Sequence, residues 1–199
     1  SCIESRNAFI LSPFQIVRRL SSNRLPIGNG FHSGQHTNTS PDFLISRFGI
    51  MKAKAVFVPV NTELKGVFLL HQFTNCAPKM VIVEQSLIKV FLGLNPLASG
   101  LRGVIISGNA QAVKLPLALQ AEETHIFADF LEDSVYCPER NFTPSIHEIC
   151  AIMYTSGTSG PSKGVLLPHG HFYSYAVGQV EGMKQTEEDI YYICMPLFH

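Results

Sequence analysis

Long apolar runs are missing from this sequence. The longest stretches, such as Ala55 to Val60, fall far short of the roughly 20 residues that cross a bilayer, so no transmembrane segment is expected. A charge excess is missing too: Lys plus Arg number 15 and Asp plus Glu number 15. No overall field draws the chain toward nucleic acid or an anionic surface, and nucleic acid is not an expected partner. Paired cysteines are absent. Cys2, Cys76, Cys137, Cys150 and Cys194 are scattered, odd in number and never spaced Cys-x-x-Cys, which argues against a disulfide framework and a zinc knuckle and for a reducing compartment. A cytoplasmic location follows as the expectation. Acidic residues are missing from Ser5 to Pro41, where Arg6, Arg18, Arg19 and Arg24 stand among Ser, Asn and Gly. Residues 1–41 therefore read as a poorly structured leader. An Arg-rich, acid-poor leader also resembles a transit peptide, which makes mitochondrial the alternative location. No internal repeat occurs.

What is present is enough apolar material for one full domain: 199 residues, 46% of them apolar and 15% charged. From Ser40 onward the pattern is regular. Ser40 can cap a helix with Pro41 at its first position, and Leu44, Phe48 and Met51 then share a face. Ala55 to Val60 reads as a strand buried on both faces, after which Thr62 caps a helix whose Leu64, Val67 and Phe68 share a face. Met80 to Glu84 is a second strand, Ser86 to Leu92 a helix, and Gly103 to Ser107 a third strand. Strands recurring about every 23 to 25 residues with helices between them predict an α/β fold built from parallel crossover units. Between Ala110 and Pro144 only a short helix near Phe127 to Glu132 is legible.

The chemistry concentrates in one loop. An apolar strand-like run, Ile149 to Tyr154, feeds into Thr155-Ser156-Gly157-Thr158-Ser159-Gly160-Pro161-Ser162-Lys163-Gly164. Glycines let backbone N–H groups approach an anion, hydroxyls add donors, and a lysine supplies a point charge, so a polyphosphate is the natural ligand. A plain Ser/Gly hairpin turn needs fewer such residues and no lysine. The Walker spacing fails because Lys163 is preceded by Ser162 and followed by Gly164. A dinucleotide fingerprint fails as well, since no glycine stands two residues before Gly157 and the loop runs into Val165-Leu166-Leu167 rather than opening a helix. The loop is expected to join two strands.

Tyr154 to Val165, YTSGTSGPSKGV, resembles the phosphate-loop motif of the class I adenylate-forming superfamily, the AMP-dependent synthetases and ligases that include acyl-CoA synthetases. Phe48 to Leu64, His169 and the run Pro196-Leu197-Phe198-His199 agree with that family at suitable distances. The likeness covers residues 42–199. Ser159 and Ser162 replace a common threonine and proline. Lys54 stands where the family usually has glycine, and is expected to disturb the helix-to-strand turn there.

The resemblance implies a partial N-terminal domain of the adenylate-forming fold, with mostly parallel sheets flanked by helices. It implies a ligase that activates a small-molecule carboxylate with ATP and Mg²⁺ as an acyl-adenylate, then transfers the acyl group to coenzyme A. In that scheme Ser156, Gly157, Thr158, Ser159, Gly160 and Lys163, with Gly164 closing the loop, hold the departing pyrophosphate. Thr155 helps to hold Mg²⁺, and His199 lies near the acyl carboxylate, so that Lys163 and His199 are the implied catalytic pair. The family's later motifs, for adenine, ribose and a C-terminal lysine, do not occur in these residues. Residues 42–199 are thus expected to be a truncated AMP-binding domain, inactive alone, completed by a complementary C-terminal chain or by none. The alternative is a non-catalytic nucleotide- or polyphosphate-binding module. A metal protein built on the histidines fits less well, because His32 with His36 and His169 with His171 each lack a third ligand.

Overall fold

The computed structural model describes residues 32–94, 100–108, 123–132, 143–155 and 160–198. In chain order the elements are β1 (His32–His36), α1 (Pro41–Lys52), β2 (Val56–Pro59), α2 (Gly66–Cys76), β3 (Met80–Glu84), a 3₁₀ turn (Gln85–Leu87), α3 (Ile88–Leu92), β4 (Gly103–Ser107), β5 (Glu123–Ile126), α4 (Phe127–Glu132), β6 (Ile149–Thr155), β7 (Lys163–Pro168) and α5 (His169–Met183). The strands form one seven-stranded sheet in the order β5-β4-β3-β1-β2-β6-β7. Every neighbouring pair is parallel except β6 and β7, which form an antiparallel hairpin. This is the mostly parallel α/β architecture that the strand spacing predicts.

Alternation along the strands divides the core between the two faces of the sheet. Met80 and Ile82 of β3 and Ile105 of β4 join Phe43, Ile50, Phe57 and Phe127 on one face. Val81 and Val83 of β3, with Val104 and Ile106 of β4, join Leu69, Phe73, Ile88 and Phe91 on the other. Helices α1 and α4 thus cover one side, and α2 and α3 the other. The Phe43 and Phe57 rings meet edge to face with centroids 5.7 Å apart, a favoured aromatic geometry.

Three expectations need correction. The segment read as a poorly structured leader ends in a strand: β1 sits between β3 and β2, in register with Val56 to Pro59 on one side and Met80 to Val83 on the other. Its composition, HSGQH, carries no branched apolar residue, so propensity could not find it. Helix α1 starts as expected, with Ser40 Oγ accepting from Phe43 N at 3.3 Å. Its buried face, however, is Phe43, Ser46, Gly49 and Ile50, while Phe48 is 50% exposed and Leu44 and Met51 only flank the core. The small Ser46 and Gly49 face inward, and the stripe lies one residue to the side of the predicted one. Helix α2 is capped by Lys65 rather than Thr62, and buries Leu69, Gln72, Phe73 and Cys76 while Val67 and Phe68 face outward.

Lys54 has φ 60°. Its N–H bonds Met51 O at 3.1 Å and the Ala55 N–H bonds Ile50 O at 3.1 Å, which together make the left-handed closure that usually ends a helix on glycine. The disturbance expected of Lys54 is therefore a strained φ inside an intact turn. Ala77 and Lys184 hold the same left-handed conformation after α2 and α5.

Candidate functional site

The hairpin presents the loop by placing its two ends side by side. Thr155 pairs with Lys163, Tyr154 with Gly164 and Met153 with Val165 in the ladder. Thr155 Oγ1 donates to Lys163 O at 3.4 Å, and both residues are exposed. Two glycines have separate reasons to be there. A Cβ on Gly164 would fall 2.9 Å from Ile152 Cγ2 and 3.5 Å from the Tyr154 ring, so the close crossing of the strands requires its absence. Gly160 has open space around it but a φ of 154°, a conformation that side chains disfavour.

A cleft of about 560 Å³ opens between this hairpin and α2. Asn61, Phe68 and Gln72 line one wall, and Thr155, Gly160 and Ser162 the other, with Phe198 also at the cleft. Phe198 belongs to the run Pro196 to Phe198, and the Leu197 N–H donates to Thr39 Oγ1 at 3.1 Å. The structure therefore brings Phe198 to the same cleft as Thr155, Gly160 and Ser162 of the loop. Ser156, Gly157, Thr158, Ser159 and His199 lie outside the described residues. His169 starts α5 at the other end of β7 from Lys163; its N–H bonds Glu148 O at 3.0 Å. Burial lowers its pKa, with the nearby Glu148 charge opposing.

Helix α2 contributes residues that no motif signals. His71 Nε2 lies 2.9 Å from Ser162 O, and Gln72 Nε2 donates to Ser162 Oγ at 3.4 Å. On the other strand the Tyr154 hydroxyl reaches Asn75 Oδ1 at 2.7 Å and Gln72 O at 3.4 Å. Burial, with help from the neighbouring Cys76, raises the Tyr154 pKa, so the phenol stays a neutral donor. Positions 71, 72 and 75 share one side of the helix, a spacing hidden because its signal is polar and its partners are remote.

Chemically, the hairpin offers Gly160 and Gly164, an exposed hydroxyl and an exposed ammonium on one sheet end, which suits an anion of several phosphates. Among the described residues no group of three His, Cys, Asp or Glu side chains could hold a metal ion. Mg²⁺ keeps most of its shell as water and phosphate oxygens, so a single hard oxygen such as Thr155 Oγ1 fits it.

Known proteins resemble this chain in sequence and in fold. The sequence pattern of the AMP-binding enzyme family matches residues 25–199. Long chain acyl-CoA synthetase 1 of Arabidopsis thaliana is 40% identical over 82 residues, covering 39% of this chain and 12% of that protein. Long-chain fatty acid transport protein 6 of Mus musculus is 27% identical over 162 residues, covering 81% of this chain and 25% of that protein. The crystal structure of ATP-bound MatB from Rhodopseudomonas palustris superposes with a TM-score of 0.75 at 21% identity, over 96% of this chain and 35% of that one, and carries the likeness of fold. The chain thus spans between 12% and 35% of the length of these relatives. With the match running through β1, the crossover helices, the Thr155–Lys163 hairpin and the Phe198 segment, this chain belongs to the AMP-binding enzyme family.

Proposed function

We propose that these residues supply the polyphosphate-binding part of an ATP-dependent acid-thiol ligase, which activates a carboxylate as its acyl-adenylate and passes the acyl group to coenzyme A. The observation that carries the proposal is the pairing of Thr155 with Lys163 at the two ends of the Ser/Gly loop. Lys163 places a positive charge where pyrophosphate charge builds up as it departs, and charge held in place beforehand is the largest single contribution to many catalysed reactions. Thr155 offers its oxygen to Mg²⁺, which when bound neutralises phosphate charge. Loop amides and hydroxyls orient the phosphates, so that the chain's part in the chemistry is positioning.

These 199 residues, which cover 25% of one relative named above and 35% of another, are proposed by themselves to bind without turning over. The 199-residue chain should retain Mg·ATP on equilibrium dialysis and lose most of that binding in Lys163→Ala, while ATP–pyrophosphate exchange with any carboxylate stays at background. Exchange clearly above the Lys163→Ala control would defeat the binding-only part. Equal ATP retention by the two proteins would defeat the polyphosphate reading itself.

A further inference from the structure

We propose that His71 and Gln72 of α2 are positioning residues that fix the Ser162 peptide and, through it, the presentation of Lys163; the inference rests on the polyphosphate reading of that lysine. The Ser162 carbonyl and the Lys163 N–H belong to one planar peptide unit. A hydrogen bond from His71 Nε2 to Ser162 O, 2.9 Å long, therefore sets the orientation of the plane on which Lys163 begins. A carbonyl oxygen only accepts, so Nε2 is the protonated nitrogen of that ring. The same residue is gripped a second time, at its hydroxyl, by Gln72 Nε2. The opposite strand is gripped by Asn75 through Tyr154. One side of one helix thus holds both strands at the base of the loop.

Two further observations separate this role from ordinary helix docking. Strand β7 pairs only with β6 among the described residues, and Lys163 to Leu166 are exposed, so the grip of α2 adds to one ladder and the Thr155 Oγ1 contact at the lysine end of the hairpin. Gln72 is 4% exposed, yet its Oε1 has no partner among the described residues. A buried unmatched acceptor is destabilising, and a leucine would fill the same space without it. The carboxamide is accounted for by what its Nε2 holds.

The test is titration of magnesium pyrophosphate into the full 199-residue chain by calorimetry, with melting temperatures measured in parallel. His71→Leu and Gln72→Leu should each weaken binding about fivefold, the loss of one net hydrogen bond. The melting temperature of Gln72→Leu should not fall. His71→Gln, whose amide nitrogen reaches as far as Nε2, should restore the affinity. If both leucine variants bind as the wild type does while Lys163→Ala does not, the inference is wrong and the polyphosphate reading survives. If His71→Gln is as weak as His71→Leu and both melt early, the contact is merely structural and the inference again fails. Wild-type binding no tighter than that of Lys163→Ala overturns the inference together with the reading beneath it.

Discussion

Strands β3 and β7 belong to one sheet and are both rich in branched apolar residues, but they live in different surroundings. Met80, Val81, Ile82 and Val83 of β3 are at most 1% exposed, whereas Val165 and Leu166 of β7 are 42% and 60% exposed. Strand β3 lies between β4 and β1 with helices over both faces. Among the described residues strand β7 has one neighbour, and the helix that follows it, α5, buries no residue. Beyond α5, Ile190, Tyr191 and Tyr192 are exposed as well. An apolar pattern states which residues favour burial, while the topology decides which of them are covered. The candidate site sits on the border between the two regimes, on β6, which pairs with buried β2 on one side and exposed β7 on the other.

The sharpest way to break the contrast is a matched pair of truncations. Phe91, fully buried and tilted against Phe73 at 5.5 Å, should cost about 3–5 kcal/mol as Phe91→Ala. Leu166→Ala should stay within about 0.5 kcal/mol. Urea denaturation of both variants checks this, and a Leu166→Ala penalty close to that of Phe91→Ala would show β7 to be covered after all.

Next in size is a pH effect at the buried centre. His36 ends β1 fully buried with neither ring nitrogen well partnered among the described residues. Burial lowers its pKa from 6.5 to about 4, against the opposing pull of the Thr62 backbone and the Glu84 carboxylate. Below pH 6.5 the unfolded chain takes up a proton that the folded one refuses until about pH 4. Stability is thus complete above pH 6.5 and declines by roughly 3 kcal/mol on the way down to pH 4. Asp42, whose pKa is raised by burial, acts in the opposite sense, so the measurement is the difference between wild type and His36→Leu. Urea midpoints at pH 7 and pH 5 should converge in the variant relative to the wild type; parallel losses would place the proton elsewhere.

The smallest effect concerns the turn between α1 and β2. Replacing Lys54 by glycine relieves a left-handed φ but frees the unfolded chain, leaving a net gain of roughly 0.5–1 kcal/mol. A rise in thermal midpoint for Lys54→Gly checks it, and a fall would mean that the Lys54 side chain outweighs the strain.

These contrasts also explain what the sequence could show. Met80–Glu84, Gly103–Ser107 and Phe127–Glu132 were legible to the residue because local pattern and final environment agree there. The hairpin was legible because a glycine-rich loop between two apolar runs has few other uses. Strand β1 was not, since His32 to His36 owe their conformation to hydrogen bonds with β2 and β3 rather than to their own propensities. The faces of α1 and α2 were misjudged by about one residue, because Ser46, Gly49 and Gln72 look outward by composition and inward by packing. Of the site, Thr155, Gly160 and Lys163 came from the motif, whereas His71, Gln72 and Asn75 carry no signal without the fold.

Those three helix residues meet the hairpin across a long stretch of chain: His71 and Ser162 are 91 positions apart. Loop closure over such a distance is slow compared with the short crossovers that join β1 to β4. During synthesis, when early segments fold first, the buried sheet and α2 can assemble before Ser162 has been made. The hairpin then docks onto a finished surface, and the polar grip of α2 serves as the seat that receives it. On that order the lysine end of the loop is expected to reach its place after the central sheet has folded.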